Sequence, residues 1–158
     1  MKLSTVGRWA LRAGAIVVIV GLCTLRADTQ DPNAKATFVA VELKAGFVPD
    51  PFEKELIAGG PIETKLGGVT AWVSKEPDFR LVYTAGNFPL TIYAESKSDT
   101  TLLINLPDGT WIADDDSGGN LNPLIKIAKP KSGRYEIWVG SFKEKELPKA
   151  VLKITELK

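Results

Sequence analysis

The chain has no histidine, one cysteine and one methionine, which is Met1. The single cysteine, Cys23, falls inside the N-terminal leader, so the rest of the chain has neither His nor Cys. These gaps exclude whole chemistries. A Ser-His-Asp triad, a Cys-His pair and a His-ligated zinc or iron site all need side chains that are not there. A disulfide framework is excluded as well. A basic stripe is also lacking. The leader holds four basic residues (Lys2, Arg8, Arg12, Arg26) and no acidic one, which leaves 16 basic against 19 acidic in the remainder, a net charge of −3. Nothing there neutralises a phosphate backbone, so nucleic acid is not an expected partner.

What is present at the N-terminus is an export signal. Lys2, Arg8 and Arg12 precede the thirteen-residue run Ala13–Leu25, closed by Arg26. The run is short for a membrane span, which needs about 20 residues, and suits a signal-peptide core. Residues 1–27 are read as a signal peptide, or an uncleaved anchor, and residues 28–36 as a flexible lead-in. Cleavage has two sites to choose from, after Ala27 or after Ala34-Lys35-Ala36. The expected location is the periplasm or the outside of the cell.

Residues 37–158 read as one β-domain. Strand-like runs at Thr37–Leu43, Ile62–Leu66, Phe79–Thr84, Leu90–Glu95, Thr101–Leu106, Thr110–Ala113, Leu124–Ala128, Arg134–Gly140 and Ala150–Thr155 are parted by Gly, Pro and Asp. A spacing of about 8–12 residues with turn signals between the runs predicts an all-β fold, a single antiparallel β-sandwich or a barrel. Leu102, Ile104 and Leu106 are expected inward, as are Tyr135, Ile137 and Val139. Ala45–Gly60 reads as a surface loop or edge crossover, because two nearby prolines cannot sit in a central strand. Within it Pro51–Ala58 suits a short helical turn, and Phe47 and Phe52 are expected to plug the core.

The densest chemistry lies in Asp99–Asn120. Pro107-Asp108-Gly109 reads as a turn, and a three-residue one fixes the register. It sets Leu106 opposite Thr110, Leu102 opposite Asp114 and Thr100 opposite Asp116. Asp99, Asp114, Asp115, Asp116 and Asn120 then gather at one end, while Asp108 drops out at the other. Calcium takes six to eight oxygens, so this is a candidate calcium site. The same residues also build solvated turns. No EF-hand is present: with Asp114 as the first position, Ile125 stands where the bidentate Glu belongs. Two-acid glycoside hydrolysis is the catalytic route that survives the missing His and Cys, and adjacent aspartates are too close together for it. Trp72, Trp111 and Trp138 suggest an indole platform for sugar. The register puts Trp111 on the outward face, and Trp138 is out of phase with the inward set, which makes Trp111 and Trp138 candidate ligand-binding residues.

Several phrases together resemble the bacterial pre-peptidase C-terminal domain. They are Gly46-Phe-Val-Pro-Asp-Pro51, Pro77-Asp-Phe-Arg-Leu81, Pro89-Leu-Thr-Ile-Tyr93, Asp99-Thr-Thr-Leu102, Pro107-Asp-Gly-Thr-Trp111, Asp114-Asp-Asp-Ser-Gly-Gly119, Asn122-Pro123 and Ser132-Gly-Arg-Tyr-Glu-Ile-Trp-Val-Gly140. The resemblance spans residues 40–157. It implies a jelly-roll-like sandwich of about eight or nine strands without catalytic apparatus. It also implies calcium binding in some relatives, and binding of an extracellular protein or polysaccharide in others. Relatives often carry a cysteine near Val69–Ala71 and another where this chain has Ala113. Both are absent here, so a bridge worth about 2–4 kcal/mol is missing. The functions this leaves are an exported non-catalytic binding or accessory module, a membrane-anchored structural subunit of an envelope complex, and a carboxylate hydrolase.

Overall fold

The computed structural model describes residues 29–38 and 40–157. The leader, 1–27, lies outside them. The described residues form eleven strands and no helix. They are β1 (Ala40–Lys44), β2 (Phe52–Ile57), β3 (Ile62–Leu66), β4 (Val69–Val73), β5 (Phe79–Thr84), β6 (Leu90–Ser96), β7 (Thr100–Asn105), β8 (Trp111–Asp114), β9 (Leu124–Ile127), β10 (Gly133–Ser141) and β11 (Lys149–Thr155).

They make two sheets. The smaller runs β2-β11-β6-β9. The larger has seven strands organised around β10. One edge of β10 pairs with β5 over Gly133–Ile137 and then meets β4 at Ser141 opposite Trp72. Its other edge pairs with β7, which pairs with β8. The expected all-antiparallel order fails at one edge, where β1 runs parallel to β5.

Period-two alternation decides which side chains meet between the sheets. Phe79 and Leu81 of β5, Leu102 and Ile104 of β7, and Tyr135, Ile137 and Val139 of β10 face one core with Leu90, Ile92, Leu152 and Ile154 of the smaller sheet. Each such fully buried side chain contributes about 1.5–3 kcal/mol. Phe47 and Phe52 pack against this core, as the sequence predicts.

Two strands were not expected, β2 and β4. β2 follows the prolines instead of containing them, and lies at the edge of the smaller sheet, so no helical turn forms there. β4 returns from β3 through Gly67-Gly68, both with positive φ (60° and 92°), with Leu66 opposite Val69. Positive φ at both central positions is what a tight two-residue hairpin turn requires, and glycine supplies it without steric cost.

The β3–β4 hairpin adds a further layer. Ala71 and Val73 close over Leu103 and Trp138 on the outward face of the larger sheet, with Trp111 and Ala113 packed alongside. Gly140 admits this crossing. A Cβ there would lie 2.8 Å from Val73 Cγ1 and 3.1 Å from the Trp72 carbonyl oxygen.

The lead-in is part of the fold as well. The Asp31 N–H donates to the Lys75 carbonyl (2.8 Å), Thr37 to Pro77 (2.8 Å) and Phe38 to Asp78 (2.9 Å). Residues 31–36 are thus bound to the sheet rather than loose.

Candidate functional site

The acidic end is set by the β7–β8 hairpin. The Leu106 N–H donates to the Thr110 carbonyl (2.8 Å) and the Gly109 N–H to the Leu106 carbonyl (2.8 Å), with Gly109 at φ 81°. This three-residue loop gives the register expected from sequence: Leu102 opposite Asp114, Ile104 opposite Ile112 and Asn105 opposite Trp111. Asp108 stays at the turn and forms an ion pair with Lys131 at 2.8 Å.

At the other end the four aspartates divide. Asp99, Asp115 and Asp116 come together, with one carboxylate oxygen from each lying within 4.8 Å of the others. Asp114 does not join them. Its Oδ1 accepts from the Ser117 hydroxyl (2.6 Å), and its Oδ2 accepts from the backbone N–H groups of Ser117 (3.0 Å) and Leu124 (2.8 Å). It shares the inward side of β8 with Ile112, and its carboxylate caps the loop. Asn120 is exposed at φ 55°, and its backbone carbonyl accepts from the Asn122 side chain (3.2 Å). Two of the five expected ligands thus serve the loop.

Burial and neighbouring charge raise two of the gathered carboxyls, Asp115 and Asp99. Burial and then the charges of Asp116, Asp99 and Asp114 push the Asp115 carboxyl up to about 6. Burial, with Asp116 beside it, raises Asp99. Asp99 Oδ1 and Asp115 Oδ1 are both buried and accept no hydrogen bond. The group can concentrate negative charge, take up a proton near neutral pH, or hold a hard cation. Its oxygens are nearer to one another than the roughly 5–9.5 Å that paired glycosidase acids use.

Asn122, which the sequence marks only within the Asn122-Pro123 phrase and assigns no role, holds the loop in place. It is buried, and its Oδ1 accepts from the Ser96 N–H (2.8 Å) and the Thr100 hydroxyl (3.3 Å), while its Nδ2 donates to the Ser96 carbonyl (3.3 Å). The Asn-Pro pair at 122–123 is a turn signal that marks the position.

The indole platform does not form as expected. Trp138 is 0 % exposed, because the β3–β4 hairpin covers the face on which it lies. Trp111 is half-buried and stacks on it, centroids 5.0 Å apart and tilted by 35°. Trp72 instead lines a cleft of about 350 Å³ with Gly60, Pro61, Glu144, Lys145 and Leu147. A groove of about 860 Å³ runs along the ends of β2, β6 and β11, with Leu56, Ile57 and Val151 among its apolar residues and Glu55, Glu95, Lys97 and Lys149 among its charged ones. Neither is lined by an aspartate of the cluster.

No family model matches the chain. No curated protein matches it. Among solved structures it is similar to PliG of Aeromonas hydrophila, a periplasmic lysozyme inhibitor of g-type lysozyme, at 16% identity and a TM-score of 0.43. The similarity covers 73% of this chain and 96% of that one. At that distance the likeness carries neither fold nor function across.

Proposed function

We propose that the chain is an exported, non-catalytic β-sandwich module of the pre-peptidase C-terminal type. It binds an extracytoplasmic protein or polysaccharide and holds a calcium ion between Asp99, Asp115 and Asp116. The observation that carries the calcium reading is the pair of buried oxygens, Asp99 Oδ1 and Asp115 Oδ1, that accept no hydrogen bond beside a third carboxylate. Like charges held this close in a partly buried site are unfavourable without a counter-charge. Calcium supplies that charge and tolerates the irregular oxygen geometry of a loop, where magnesium demands an octahedron. Asp114 supports the reading indirectly, because its three hydrogen bonds fix the backbone that presents Asp115 and Asp116.

The test is thermal unfolding in calcium against a chelator. A site at 100 times its dissociation constant adds about 2.7 kcal/mol, which raises the midpoint by several degrees in a domain of this size. An unchanged midpoint at millimolar calcium rejects the metal.

A second reading keeps the leader uncut and makes the domain a membrane-anchored structural subunit. The strap at Asp31–Phe38 favours it, because the four residues between Arg26 and the first pinned position, Asp31, span at most about 18 Å of chain and would hold the domain against the membrane. The intact mass of the protein in the cell decides between the two.

A further inference from the structure

We infer that the segment Asp31–Phe38 is a built-in strap of the mature domain, and that the cut releasing the leader falls upstream of Asp31 and not after Ala36. The inference rests on the exported reading above and selects between the two cleavage points that the sequence allows.

Three sets of contacts carry it. The strap's backbone is stitched to the chain leading into β5: Asp31 to Lys75, Thr37 to Pro77 and Phe38 to Asp78. Next, Arg80 and Arg134 both meet the Glu136 carboxylate, at 2.6 and 2.7 Å, and the Glu136 side chain is only 2% exposed. The Nη2 groups of both arginines reach the strap. Arg80 donates to the Ala34 carbonyl (2.7 Å), and Arg134 to the Asn33 side chain (3.2 Å). Finally, Ala36 is buried, and the N–H that a cut after Ala36 would turn into a free ammonium is the one Thr37 donates to Pro77.

A cut after Ala36 would therefore strip the acceptors from two arginines that sit on a buried carboxylate. It would also turn the Thr37 N–H, which donates to the Pro77 carbonyl, into a charged terminus. A cut after Ala27 disturbs none of these contacts. There, water adds across the Ala27–Asp28 peptide bond, leaving a carboxylate on Ala27 and an amine on Asp28. Ala27 is the small residue that follows the apolar run and its closing Arg26.

The experiment expresses the full chain, leader included, in a bacterium and reads the intact mass of the exported product. A mass beginning at Asp28 is expected, and one beginning at Thr37 overturns the inference while leaving export standing. A full-length mass overturns the processed reading itself. Ala27→Arg in the full chain should accumulate the uncut precursor, and a Thr37 product from it overturns the assignment. Limited trypsin digestion of the exported protein reads the strap directly. The 142–148 loop should be cut before the Lys35–Ala36 bond, by about tenfold or more in rate. First cutting at Lys35 means the strap is loose, and it overturns the proposal.

Discussion

Asp78 accepts the Val139 N–H through Oδ2 at 2.8 Å, in the gap along β10 between its pairings with β5 and β4. The Gly59 N–H, donating to the Val139 carbonyl at 2.9 Å, fills the other half of the gap. A side chain thus replaces a missing strand at the point where β10 changes partners. Burial pushes the Asp78 carboxyl up to about 7, against 3.8 when unfolded. A carboxyl raised on folding stabilises the native state below its unfolded pKa, and that contribution is lost as pH rises through the folded value. Asp78→Asn keeps an acceptor for Val139 without the charge. Its stability relative to wild type should rise between about pH 4 and pH 7, by up to about 4 kcal/mol, in urea unfolding at a series of pH values. A constant difference across that range contradicts the assignment.

Asp114 and Asp115 are adjacent but should behave oppositely. Asp114→Ala removes three accepted hydrogen bonds and should cost about 2 kcal/mol in chelator, where no calcium is bound. Asp115→Asn removes a repelled charge, so it should raise the unfolding midpoint in chelator and abolish the response to calcium.

The core beneath the β3–β4 hairpin is structural. Trp138→Ala should cost about 3–5 kcal/mol. Gly140→Ala, which forces a Cβ against Val73 and the Trp72 backbone, should cost about 1–3 kcal/mol. Chemical denaturation measures both. A soluble Trp138→Ala variant of unchanged midpoint would mean that the hairpin does not close over this face.

Calcium binding should weaken on acidification. The Asp115 carboxyl, pushed up to about 6, takes a proton there and competes with the ion. Titrations at pH 5.5 and 7.5 should differ in affinity, with the tighter binding at the higher pH. Equal affinities contradict the cluster as the ligand set.

The hairpin register was legible because a three-residue turn fixes the count, and Leu102 opposite Asp114 follows by pairing outward from it. The inward faces of β7 and β10 were legible from period-two alternation. The facing of Asp115 and Asp116 was not, because alternation ends with β8 at Asp114. The burial of Trp138 was hidden for another reason. Phase says which face of the sheet a residue occupies, and says nothing of a second layer lying on it. Gly67-Gly68 held the missing clue, since two glycines after Leu66 mark a hairpin turn and so imply β4. In β2, the prolines at 49 and 51 drew attention from the clean alternation of Phe52–Ile57 that follows them.

The central claim is that Asp99, Asp115 and Asp116 hold calcium. Isothermal titration of calcium into chelator-treated protein at pH 7.5 tests it most directly, alongside the Asp115→Asn variant. The expected result is one site per chain in the wild type and none in the variant. No binding heat in the wild type up to millimolar calcium, or equal binding by both proteins, contradicts it.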